Sequence, residues 1–110
     1  MHDEFGRDPS VQSMRRVFAS LEKAQGDLLE KLNISHFDGR LRRVRNRSRL
    51  MFDRVWAVAA GRGLVRGEAD APVVYLHCLA GAMSEAGIAV PDSELPSNDG
   101  IAKLIREVIP

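Results

Sequence analysis

One run of residues constrains this chain more than any other. Val11, Met14, Phe18, Leu21, Gln25, Leu28 and Leu32 follow one another at alternating spacings of three and four. On an α-helix that spacing draws a single stripe, and a stripe sustained over three heptads is the pattern of a packed helical seam. A strand would need alternation by two instead. Ser10 reads as the helix N-cap, with Ser13 or Asp8 as alternatives. Gly26 lies inside the run. Glycine costs about 1 kcal/mol in a helix interior, so a kink or short break is an option there. Residues 33–39 then read as a turn, with Asp38-Gly39 the strongest breaker.

The same counting gives three more helices. Leu41, Val44, Ser48, Met51, Phe52, Val55, Val58 and Ala59 line one side of a second helix over about 40–60, closed by Gly61-Arg62-Gly63. A third covers about 71–86, with Pro72 in its first turn and Gly87 after its end. Val73–Leu76 would also suit a strand, but the helical spacing continues to Met83. Ser97 or Asn98 could cap a last short helix over about 99–109.

These elements make the expected fold all-α. It is a small bundle of three to four helices, a long antiparallel hairpin (about 10–34 and 40–60) followed by two shorter helices. Residues 1–9 form a fraying N-terminal tail and 10–110 one helical domain, as 110 residues allow. The two short helices are too small to cover both long seams. A second chain is therefore expected on the seam, either another copy in a homodimer or a different protein. Phe18 and Leu21 are expected side by side in the core.

Charge is partitioned along the chain. The net formal charge is only +1. Residues 40–66 nevertheless hold nine Arg against one acid, Asp53, while 67–102 hold Glu68, Asp70, Glu85, Asp92, Glu94 and Asp99 with no base. Seven of the arginines, Arg40, Arg42, Arg43, Arg45, Arg47, Arg49 and Arg54, sit on the second helix. Arg43, Arg47 and Arg54, with Arg40 near them, flank its apolar side on one edge. Arg42 and Arg49 flank it on the other, with Arg45 closer to the seam. Three readings compete for them. They pair with the acidic segment or an acidic partner, they grip phosphates of a nucleic acid, or they are solvated products of an Arg-over-Lys coding bias. The nucleic-acid reading lacks an aromatic platform, since Trp56 and Tyr75 stand alone in the sequence and Phe37 is in a turn. It also lacks the tight turn of a helix-turn-helix.

Little in the chain points to catalysis. His77 and Cys78 are adjacent, so on a helix they diverge by about 100°. Both read as structural residues in an apolar helix. No spacing suits a zinc site, no P-loop Lys follows the glycines at 61–67, and no cofactor is inferred. No apolar run approaches the roughly 20 residues of a membrane span, and no secretory core follows Met1, so a cytoplasmic protein is expected. The sequence thus suggests a non-enzymatic helical interaction module, an adaptor, regulator or complex subunit working through its apolar seam. The alternative is a nucleic-acid-binding accessory protein that uses the arginine helix.

Overall fold

A computed structural model of the chain describes the backbone of residues 9–109 and the side chains of 14–109. Among the described residues it is entirely helical: α1 (Pro9–Lys31), α2 (Leu41–Gly61), α3 (Ala71–Glu85) and α4 (Asp99–Val108), with 3₁₀ turns at Glu68–Asp70 and Asp92–Glu94. No helix among them is long and apolar enough to cross a membrane.

Helix α1 runs through Gly26 without a break. It begins at Pro9, so Ser10 and Ser13 lie inside it, and the cap position falls on Asp8, outside the described residues. Val11 has no described side chain. The first three helices stop in the same way. Asn33, Gly63 and Gly87 adopt φ of 56°, 71° and 83°. Behind them Ile34 N–H donates to Leu29 O, Leu64 to Ala59 O and Ile88 to Met83 O. This is the Schellman arrangement: a left-handed residue turns the chain, and the next, apolar residue folds back on the helix it leaves. Helix α2 starts after Asp38, whose carboxylate accepts from Arg40 N–H and pairs with the Arg40 guanidinium at 2.7 Å. That pairing holds the Asp38 carboxyl at about 2. Helix α4 is capped by Asn98, whose side-chain oxygen accepts from Ile101 N–H.

The core is organised by α3. From Ala71 to Ser84 it carries no charged residue, and a helix that is apolar all round belongs inside. Val74, Tyr75, Cys78, Leu79, Ala82 and Met83 are all buried. Helix α3 packs on both α1 and α2, whose own backbones lie apart and meet through side chains such as Arg49 and Phe18, and α4 rests on α2 and α3. Arg16 pairs with Glu68 and Gln25 with Tyr75, so α1 runs in the same sense as α3. Arg47 pairs with Glu85, and Phe52 meets Tyr75, so α2 runs in the opposite sense. The short link from α1 to α2 had suggested that these two helices would be each other's main neighbours. Instead α3 joins them.

Candidate interaction surface

The α1 seam divides in two. Leu21, Gln25 and Leu28 are buried and Leu32 is half-buried. Met14 is 55% exposed and Phe18 41% exposed. Register explains the split. α3 runs in the same sense as α1 with Tyr75 against Gln25, so its first residue, Ala71, stands about level with Leu21. The apolar face of α1 runs on past the helix that covers it. Phe18 is therefore not the core residue expected from its neighbour Leu21.

Gln25 is committed within the chain. The Tyr75 hydroxyl donates to Gln25 Oε1 at 2.5 Å, and both are buried. Burial raises the Tyr75 pKa, against the pull of the nearby Arg49 guanidinium. The phenol stays protonated and can donate. A polar residue in an apolar stripe suggests a register-setting contact between chains, but α3 supplies its partner here.

Above this pair lies Arg49. Its guanidinium carbon is 5.6 Å from the Phe18 ring centre and 5.5 Å from that of Tyr75. Its Nε is buried without a hydrogen-bond partner, and it forms no ion pair among the described residues. Phe52 packs edge-on to Tyr75 at 6.0 Å and stacks on Trp56 at 5.6 Å. The three helices thus build one continuous row, Phe18–Arg49–Tyr75–Phe52–Trp56. Trp56 and Tyr75, isolated in sequence, are not isolated in space. The sequence signal was available in part: Arg42, Arg45, Arg49, Phe52 and Trp56 follow one another at spacings of three and four, along the edge where Arg42 and Arg49 flank the apolar side.

The other arginines divide. Arg47 pairs with Glu85 of the acidic segment at 3.1 Å, and Arg40 pairs locally with Asp38. Arg42, Arg43, Arg45 and Arg54 make no ion pair or hydrogen bond among the described residues. Arg42, Arg43, Asn46 and Arg47 surround Leu50, 66% exposed, on the outer side of α2. Phe37, in the preceding link, is 96% exposed. Two of the seven arginines are therefore used within the fold as ion pairs, and one, Arg49, through its ring contacts.

His77 and Cys78 are both tied into the packing. His77 Nε2 donates to Pro96 O at 2.8 Å. It borders a cavity of about 380 Å³ with Asp92, Asp99 and Arg106. Cys78 is buried, and burial pushes its thiol up to about 12. Such a thiol is not a nucleophile near neutral pH. Among the described residues no three His, Cys, Asp or Glu side chains cluster to hold a metal. No protein family, characterised protein or solved structure matches this chain.

Proposed function

We propose that the chain is a non-enzymatic helical interaction module, an adaptor, regulator or subunit of a complex. Its docking face would be the N-terminal half of the α1 seam with the Arg49 row beside it. One observation carries this reading. A helix face patterned for burial over its whole length is covered over only part of it, leaving Met14 and Phe18 in solvent. Aromatic, Met and Arg side chains are the residue types enriched where proteins bind proteins. The partner would be another copy of the chain or a different protein.

A second reading has an observation of its own. Arg42, Arg43, Arg45 and Arg54 pair with no acid among the described residues, and the exposed Phe37 ring lies just before their helix. That combination suits phosphates and an unstacked base. Two double variants separate the readings. Met14→Ser/Phe18→Ser should abolish association with a protein partner and leave heparin retention unchanged. Arg43→Glu/Arg54→Glu should do the reverse if nucleic acid is the ligand. Retained protein association in the first variant, with its helical content intact, would refute the module reading.

A further inference from the structure

The surface beside Phe18 is specific enough to indicate the chemistry of what docks there. We infer that the α1–α2 face takes an acidic amphipathic helix from a different protein, with its apolar side on Met14 and Phe18 and a carboxylate on Arg49. This rests on the interaction-module reading and adds the partner's character to it.

Three observations carry the inference. First, Arg49 is a guanidinium fixed in place without an anion among the described residues. Two rings hold it and its Nε is enclosed. A cation already ordered loses little freedom when a carboxylate arrives, and a guanidinium presents paired donors that match one. Second, Arg45 and Arg42 continue the Arg49 stripe one and two turns earlier on α2, both exposed and both unpaired among the described residues. Third, Phe18, which Arg49 touches, and Met14 one turn before it supply an exposed apolar contact at the Arg49 end of this cationic stripe.

The same features disfavour the other occupants. A two-fold contact centred on the stripe would set Arg against Arg, which opposes association. For a single-stranded nucleic acid the stripe offers few free ring faces. Arg49 covers Phe18, and Phe52 and Tyr75 are buried.

Trp56, the only tryptophan in the sequence, ends the aromatic row half-buried and reports on this face directly. The probe is a 21-residue peptide with Leu at heptad positions a and d, Glu at e and g, and Ala or Gln elsewhere. Titrated into the full chain, it should produce a saturable change in Trp56 fluorescence. Binding should weaken about tenfold or more on Arg45→Glu or Arg49→Gln, and on raising salt. Circular dichroism of each variant verifies that the fold is retained, and Arg45→Glu, fully on the surface, covers the case in which Arg49→Gln does not fold.

Each other outcome overturns the inference in its own way. If the peptide with Lys in place of Glu binds equally well, the acidic chemistry is wrong while the module reading stands. If no peptide binds and Phe18→Ser alters no association of the chain, both fall. If a thymidine 20-mer binds more tightly than the peptide and loses that binding on Arg45→Glu, the face belongs to nucleic acid. If sedimentation shows a wild-type dimer that Phe18→Ser dissolves, the occupant is a second copy.

Discussion

The two halves of α1 carry the same pattern and meet opposite fates. In the C-terminal half, Leu21, Gln25, Leu28 and Leu29 are buried. In the N-terminal half, Met14 and Phe18 stand in solvent. Nothing in the spacing of the stripe distinguishes them. The difference lies in the partner: α3 runs in the same sense as α1 with Tyr75 against Gln25, so it begins at Ala71 about level with Leu21, and only the 3₁₀ turn at Glu68 reaches back to Arg16. A periodic apolar face specifies which side of a helix seeks burial. It does not specify how far a partner will reach.

Substitutions along the seam test that contrast. The largest effect is expected in the buried half. Leu21→Ala removes a fully buried side chain and should cost about 2–5 kcal/mol, read from denaturant unfolding. A loss under about 1 kcal/mol would mean that α3 does not seal this half. The polar layer comes next. Tyr75→Phe strands Gln25 Oε1 in the core, and Gln25→Leu strands the Tyr75 hydroxyl, so each should cost about 1–3 kcal/mol. The double variant removes both needs and should cost clearly less than the two added together. Additive losses would show that the two groups do not depend on each other.

Phe18→Ala should cost less than Leu21→Ala although it deletes more atoms. Its ring is already 41% exposed, and what remains to lose is partial burial and the Arg49 contact, about 1–2 kcal/mol in all. A loss equal to that of Leu21→Ala would erase the distinction between the halves. The smallest change should be a gain. Gly26 lies in an unbroken helix, and a Cβ there would meet nothing within 4 Å. Gly26→Ala should raise stability by about 0.5–1 kcal/mol, seen as a higher melting temperature. Gly81 makes the instructive contrast, because Met51 Cε lies 3.2 Å from where its Cβ would be. The same substitution there requires Met51 to yield, and should not give that gain.

Much of this protein follows from local rules. Spacing of three and four defined the four helices. Asn33, Gly63 and Gly87 ended three of them because a left-handed residue turns the chain at little cost where the side chain is absent or can bond locally. Asn98 capped the fourth with a side chain of the right length. The uncharged stretch 71–84 fits the enclosed place of α3, although spacing alone predicted it only as a third, short helix.

What the sequence left open were contacts between residues far apart in the chain. Tyr75 satisfies Gln25 across fifty positions. Arg49 reaches Phe18 on one helix and Tyr75 on another, joining aromatics that spacing within a single helix keeps separate. Helix periodicity fixes directions about one axis and says nothing of where a second axis will lie. Only the tertiary packing, with α3 between the two longer helices and beginning about level with Leu21, decided which half of the seam became core and which became surface.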